Sequence, residues 1–157
     1  MGGGIIPVAF HQGKCYLLFG KEVVDGKWSD FGGGKEGNES SFKTAIREGC
    51  EELSGFLGCK AKLKNLVDEH KIIHLRAITY NSYLFEIKYD PNLPVYFNNN
   101  FYFIKKNFPD LLATDGMFEK SEIKWFEINS LQNNRRQFRP FYRHMVDIIV
   151  ANKQNIK

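Results

Sequence analysis

Apolar and polar positions along the first third of the chain predict a hairpin, a short strand and a helix. Apolar runs at residues 5–10 and 15–19 flank a polar segment containing Gly13, which is typical of a β-hairpin. A third strand is expected at residues 28–31, directly before the glycines at positions 32–34. From Ser41 to Leu53 apolar residues recur at spacings of three and four, which predicts an amphipathic helix that stops at Gly55.

The rest of the chain predicts more strands, a long loop and a late helix. Residues 61–67 and 72–87 are interpreted as strands, and residues 122–128 as another. Prolines interrupt residues 88–118, which are interpreted as a long loop with one short helix near 101–107. A helix is expected at 138–151. This order predicts an α+β fold with a mixed sheet flanked by helices, in one domain that spans residues 1–157.

Composition excludes several classes of protein. Hydrophobic residues make up 43% of the 157 positions and the net charge is +4, which favours anionic ligands without implying nucleic-acid binding. No apolar run is long enough to cross a membrane, so no membrane partner is expected. Cys15, Cys50 and Cys59 form no CxxC pair and are interpreted as free thiols. We therefore expect a soluble, intracellular protein in the cytoplasm.

Three glutamates on the predicted helix carry the candidate chemistry. Glu48, Glu51 and Glu52 stand at i, i+3 and i+4, so we expect them on one face, opposite the apolar stripe. Like charges at that spacing repel, and a hard cation such as Mg²⁺ or Mn²⁺ would relieve the repulsion. Arg47 could pair with one of these acids and hold it in position.

The same segment resembles the signature of the Nudix hydrolases. Gly33 is followed after five residues by Glu39, and seven more lead to Arg47-Glu48 and then Glu51-Glu52. Gly32 and Glu36 match the commoner extended form of the signature. Three positions depart from it: Gly49 stands at an aliphatic position, Ser54 replaces a glycine, and Gly55 replaces an aliphatic residue. We interpret the last two as a helix that runs one residue further before its glycine stop.

The resemblance implies a Nudix-type α/β/α sandwich and a metal-dependent hydrolase that cleaves a diphosphate linkage in a nucleoside diphosphate derivative. By similarity, Glu48, Glu51 and Glu52 would bind Mg²⁺, helped by the carbonyl of Gly32 or Gly33, and Arg47 belongs to the catalytic set. Glu48 is the first candidate for the general base. Family members also place this base in a later loop, where the candidates are Glu119 and Glu122.

The resemblance leaves the substrate open. The substrate-contact candidates are Trp28, Glu36, Glu39, Arg76 and Glu119. A nucleoside triphosphate, a nucleotide sugar and a dinucleoside polyphosphate are the leading substrate classes. Basic residues at 135–143 raise two alternatives, capped RNA and a diphosphoinositol polyphosphate. A non-catalytic nucleotide- or RNA-binding module is a further alternative, and a homodimer is left open because dimers occur in the family.

Overall fold

A computed structural model describes residues 1–114 and 116–157, so that only Asp115, in the predicted 88–118 loop, lies outside the description. The strands are β1 Gly2–His11, β2 Lys14–Glu22, β3 Trp28–Ser29, β4 Phe31–Gly33, β5 Lys71–Arg76, β6 Tyr80–Glu86 and β7 Lys120–Glu127. The helices are α1 Ser41–Glu52, α2 Ala61–Glu69, α3 Leu93–Asn107, α4 Leu131–Asn134 and α5 Arg143–Ala151. Short 3₁₀ turns flank the last three helices.

The strands form one mixed sheet of seven strands, as the order of elements predicts. Its main path is β3-β2-β1-β6-β5, with β4 paired to β1 and β7 paired to β2. β1 runs parallel to β6, while its pairings with β2 and β4 are antiparallel. The predicted hairpin is confirmed, because β1 and β2 join through Gln12 and Gly13, both at positive φ.

Apolar side chains cover both faces of the sheet. On one face, Phe19, Leu84 and Phe126 pack with Met145 and Ile149 of α5. The other face carries a second cluster shared by α1, α2 and α3, whose buried members include Ile5, Phe31, Ala45, Leu63, Phe85 and Phe97. The result is the expected α+β sandwich, and the second cluster seats α1, which carries the three glutamates.

Two predicted elements are wrong. Residues 61–67 belong to helix α2, not to a strand, since Leu63 and Val67 are spaced by four and are both buried. The predicted loop at 88–118 is wrong in extent: the short helix expected near 101–107 is the second half of the 15-residue helix α3, which begins at Leu93 and buries Phe97 and Phe101. Pro94 lies in the first turn of α3, where a proline starts a helix and does not break it. The late helix is also shorter than predicted, because Pro140 opens a 3₁₀ turn before α5.

The end of α1 explains both departures from the signature after Glu52. The amide of Gly55 donates to the carbonyl of Cys50, and the amide of Ser54 donates to that of Glu51. This pair of bonds is a Schellman motif, with Ser54 in the left-handed region at φ 50°. The expectation of a longer helix is therefore wrong: α1 ends at Glu52, and Ser54 occupies the conformation that favours glycine.

Ser54→Gly is expected to stabilise the protein. A residue with a Cβ in this conformation is strained, so the substitution should raise the free energy of unfolding by about 0.5–1 kcal/mol. Chemical denaturation of both proteins measures the difference. Ser54→Ala is the matched control, because alanine keeps a Cβ and should give no gain. An equal gain from both substitutions would contradict the conformational explanation.

The cysteine prediction is wrong for two of the three residues. Cys50 and Cys59 form a disulfide, with their Cα atoms 4.8 Å apart, because the turn after α1 brings the chain back beside the helix. Cys15 is the free cysteine, and burial raises the pKa of its thiol to about 11. The expectation of a reducing compartment rested on three free thiols, and the disulfide removes that reason.

In residues 1–114 and 116–157, none of the helices combines the length and the apolar character needed to cross a membrane.

Candidate active site

Local contacts fix the start of α1 and its distance from the sheet. The Ser40 hydroxyl caps the helix by accepting from the amide of Lys43 at 3.2 Å. Thr44 donates to Glu39 at 3.0 Å, which ties the preceding loop to the first turn. Gly49 faces β1, where a Cβ would collide with Ile5. The first departure from the signature therefore has a packing reason: glycine lets α1 lie close to the sheet.

The glycines of β4 bring the backbone against the helix carboxylates. A Cβ on Gly33 would lie 2.6 Å from a carboxylate oxygen of Glu48. The amide of Gly32 donates to Oε2 of Glu52 at 2.9 Å. Because β4 pairs with β1 at these residues, the sheet fixes the position of this backbone. Main chain and carboxylates thus form one polar surface at the edge of β4.

Arg47 holds four acids around itself. Its guanidinium donates to Glu39 at 3.0 Å and 3.1 Å and to Glu48 at 2.8 Å. It also lies 3.6 Å from Glu36 and from Glu51, and donates to the carbonyl of Gly34 at 3.0 Å. The hydrogen bond from Arg47 lowers the pKa of Glu39 to about 2, and its bond to Glu39 is the main cause that raises the pKa of Arg47. The arginine therefore orients Glu48 and Glu51 as well as pairing with them.

The three helix glutamates differ in burial, which corrects the prediction that all of them lie opposite the apolar stripe. Glu51 is the most exposed, with 32% of its side chain accessible, whereas Glu48 keeps 13% and Glu52 only 2%. Burial raises the pKa of Glu48 and of Glu51, and raises that of Glu52 well above its usual range. Glu52 lies on the side of α1 that faces the sheet, so the carboxylates extend from the surface into the interior.

Sequence reasoning missed the residues that meet Glu52 inside the fold. Lys120, at the start of β7, is fully buried and lies 3.6 Å from Glu52. Its ammonium also donates to Glu22 at 2.6 Å and to Ser29 at 2.7 Å. The only sequence signal was its place in the segment 118–126, next to Glu119. No sequence signal pointed to Glu22, at the end of β2.

The structure separates the two later base candidates. Single carboxylate oxygens of Glu22, Glu52 and Glu119 lie within 4.8 Å of one another, a spacing that a metal ion could bridge. Glu122 instead forms an ion pair with Lys21 on β2, at 3.7 Å. Glu119 therefore lies close to the helix carboxylates, whereas the described partner of Glu122 is Lys21 on β2.

The remaining substrate-contact candidates are scattered. Trp28 is 5% exposed and packs edge-on against Phe126, in the core on the α5 side of the sheet. Arg76 is exposed at the end of β5. Glu36 and Glu39 lie at the site through Arg47. Of these candidates, Glu36 and Glu39 lie at the site, whereas Trp28 packs in the core.

Two cavities border α1 and β4. The smaller, of about 370 Å³, is lined by the backbone of Gly32, Gly33 and Gly34 together with Tyr80, Arg139 and Phe141. The larger, of about 530 Å³, lies between α1 and α2 and is lined by Phe42, Ile46, Arg47, Glu51 and three lysines. The smaller cavity is the one that the glycine backbone opens onto.

The basic residues at 135–143 are mostly used within the chain. Arg135 makes a two-point pair with Asp147, at 2.7 Å and 2.8 Å. Arg139 pairs with Asp25 at 3.0 Å and Glu22 at 3.4 Å, and Arg143 donates to backbone carbonyls. These contacts stabilise the C-terminal segment, and they leave little of its charge free for an RNA backbone.

Comparison with known proteins finds the fold among solved structures. No protein-family model matches the chain, and no curated protein matches it by sequence. A C. elegans Ap4A hydrolase in a binary complex superimposes with a TM-score of 0.56 over 98% of this chain and 94% of its own, at 16% identity. The Nudix hydrolase RenU of M. smegmatis gives 0.56 over 99% and 86%, at 13% identity.

A third structure covers only part of a longer chain. The bifunctional NMN adenylyltransferase/ADP ribose pyrophosphatase of Francisella tularensis, complexed with AMP and a Mn ion, gives a TM-score of 0.57 at 14% identity. The match covers 96% of this chain and 41% of that one. At identities this low, the structural likeness shows a shared fold and nothing further.

Proposed function

We propose that this chain, which has the Nudix hydrolase fold, is a Mg²⁺-dependent enzyme that hydrolyses a diphosphate linkage in a nucleoside diphosphate derivative. One observation carries the proposal: Arg47 clamps Glu48, Glu51 and Glu39 beside the glycine backbone of β4. A cluster of acids held by one arginine retains excess negative charge. That arrangement suits a hard cation together with an anionic substrate.

The donor set fits a hard divalent ion. Glu48, Glu51 and Glu119 supply carboxylate oxygens, as Mg²⁺ and Mn²⁺ prefer. Glu52 is anchored through Oε2 to the amide of Gly32, and no described residue donates a hydrogen bond to its Oε1, which can therefore serve as a ligand. The carbonyl of Gly32 or Gly33 would complete the set. A bound ion would polarise a phosphoryl oxygen and lower the pKa of the attacking water.

The protein side chains would then position the attacking water and accept its proton. Glu48 is the proposed base, because Arg47 engages only Oε1 of its carboxylate and no described residue donates a hydrogen bond to Oε2. Arg47, at 2.8 Å from Glu48, holds that carboxylate in one orientation. Glu119 is the second candidate for the base, while Glu122 is engaged by Lys21.

We place the nucleoside in the cavity lined by the glycines, Tyr80, Arg139 and Phe141. Its volume of about 370 Å³ lies within the range of small-ligand sites. Phe141 presents an exposed aromatic face beside this cavity, and the Arg139 guanidinium lies 5.1 Å from the centre of its ring. A base could stack on the ring while the diphosphate extends along the backbone of β4 toward Glu48.

A substrate panel in Mg²⁺ and in EDTA tests the proposal. The panel holds nucleoside triphosphates, nucleotide sugars, dinucleoside polyphosphates, a diphosphoinositol polyphosphate and capped RNA. We expect cleavage of one nucleotide class in Mg²⁺ and none in EDTA, measured by chromatography of the products. Cleavage of capped RNA or of the inositol compound would identify an alternative substrate. Binding of a nucleotide without turnover in any metal would support a binding module instead.

A further inference from the structure

Lys120 is a buried cation inside the carboxylate cluster. It has no exposed surface, and its ammonium contacts Glu22, Ser29 and, at 3.6 Å, Glu52. The ring of Phe31 covers it, with the ammonium 5.9 Å from the ring centre. A buried lysine is costly unless acceptors surround it, and here two carboxylates and a hydroxyl do so.

The strands are shaped to admit this side chain. A Cβ on Gly20 would lie 2.7 Å from Cδ of Lys120 and 2.9 Å from the Phe31 ring. The β2–β7 register also shifts between Lys21 and Glu22, which sets Glu22 opposite Lys120. Glycine and bulge together give the lysine stem a channel between two strands.

The Lys120 ammonium already pairs with carboxylates that could otherwise bind a metal ion. Glu22, Glu52 and Glu119 have the spacing of a three-carboxylate site, yet Oε1 of Glu22 and Oε2 of Glu52 already face Lys120. Arg139 adds a second positive charge 3.4 Å from Glu22. A divalent ion bound to these same oxygens would be repelled by both cations.

The charge balance differs between the inner and outer parts of the cluster. The inner carboxylates, Glu22 and Glu52, lie beside two cations, Lys120 and Arg139, and Arg139 is shared with Asp25. The outer part sets five carboxylates against the single guanidinium of Arg47, and these carboxylates belong to Glu36, Glu39, Glu48, Glu51 and Glu119. The outer carboxylates therefore have fewer cations per negative charge than the inner ones.

We propose that Lys120 is a built-in cation that holds the inner position, between Glu22 and Oε2 of Glu52, and confines the divalent ion to the outer carboxylates and the free Oε1 of Glu52. The substrate-free chain then binds one ion tightly, and Lys120 is a positioning residue that fixes Glu52. This inference rests on the proposed function only in requiring that a divalent ion bind at the site. Replacing the ammonium by a neutral side chain opens the inner position to a second ion.

The test counts bound Mn²⁺ on the substrate-free protein, by the electron paramagnetic resonance signal of the free ion. We expect one tightly bound Mn²⁺ per chain in the wild type and two in Lys120→Met. Saturating Mn²⁺ should also raise the Tm of Lys120→Met by about 5 °C or more beyond its effect on the wild type. Lys124→Met is the matched control on β7, where the lysine lies over the Phe126 ring, and it should behave as the wild type.

The outcomes separate this inference from the proposed function. Two tight ions in the wild type, or one in both proteins, would overturn the role of Lys120 and leave the hydrolase proposal standing. No tight ion in the wild type would overturn the inference, while turnover in Mg²⁺ but not in EDTA would still decide the hydrolase proposal. Lys120→Gln, whose amide keeps a donor toward Ser29, provides a second variant with the same expectation. If neither variant folds even in Mn²⁺, an ion cannot replace the ammonium and the inference is wrong.

Discussion

Glu52→Gln is expected to abolish metal-dependent turnover while the fold remains intact. The glutamine keeps an oxygen that can accept from the amide of Gly32, so the position of the side chain is preserved. The substitution removes the negative charge of Glu52, which lies between the Lys120 ammonium and the outer carboxylates. We expect kcat/KM to fall by about 10²–10³-fold or more, the loss typical when one electrostatic group is removed from an active site.

The measurement is turnover of the substrate identified by the panel, with both proteins assayed side by side in Mg²⁺. Glu69→Gln is the control, since Glu69 is an exposed glutamate at the end of α2. It should match the wild type. A similar Tm for the wild type and Glu52→Gln would establish that the fold is retained. Near-normal activity of Glu52→Gln would refute the assignment of Glu52 to the site.

The second large effect is on stability and comes from Asp30. Asp30 lies just before β4, and its buried carboxyl accepts hydrogen bonds from Tyr80 and Ser82 of β6. Burial raises its pKa to about 6, even though these hydrogen bonds and the charge of Lys120 lower it. Because the pKa is raised on folding, the folded state binds a proton that the unfolded state releases. The resulting cost is absent below about pH 4, grows as the pH rises, and is complete above about pH 6.

Asp30→Asn removes this titration. Relative to the asparagine variant, the wild type should lose about 3 kcal/mol of stability between pH 4 and pH 7, as expected for a shift of this size. Urea denaturation of both proteins in EDTA, at several pH values, measures the difference and cancels titrations that they share. Asp68→Asn, which removes an exposed carboxylate paired with Lys64, is the matched control. Parallel curves for Asp30→Asn and the wild type would contradict a raised pKa.

The local part of the site could be predicted from the sequence. Glu48, Glu51 and Arg47 belong to one helix, so their proximity follows from helical spacing. The Arg47 contacts with Glu39 and Glu48 agree with the role expected for it.

The non-local part could not be predicted. The meeting of Glu22 with Lys120 depends on which strands pair and on a bulge in their register, and neither leaves a local pattern. The burial of Glu52 depends on how α1 is rotated against the sheet. Residues 61–67 were misread because a short apolar run does not separate a helix from a strand, and tertiary burial of Leu63 and Val67 decides it.

The ion pair between Glu22 and Lys120 also has a consequence for the order of folding. Its two residues are 98 positions apart, so closing this loop costs chain entropy that later contacts must repay. A growing chain can form the β1–β2 hairpin and α1 well before β7 has been synthesised. Until that last strand docks, Glu22 and Glu52 lack their lysine and the interior of the site is incomplete. Under the proposed function, a chain shortened before β7 would lack Glu119 and Lys120 and is expected to be inactive.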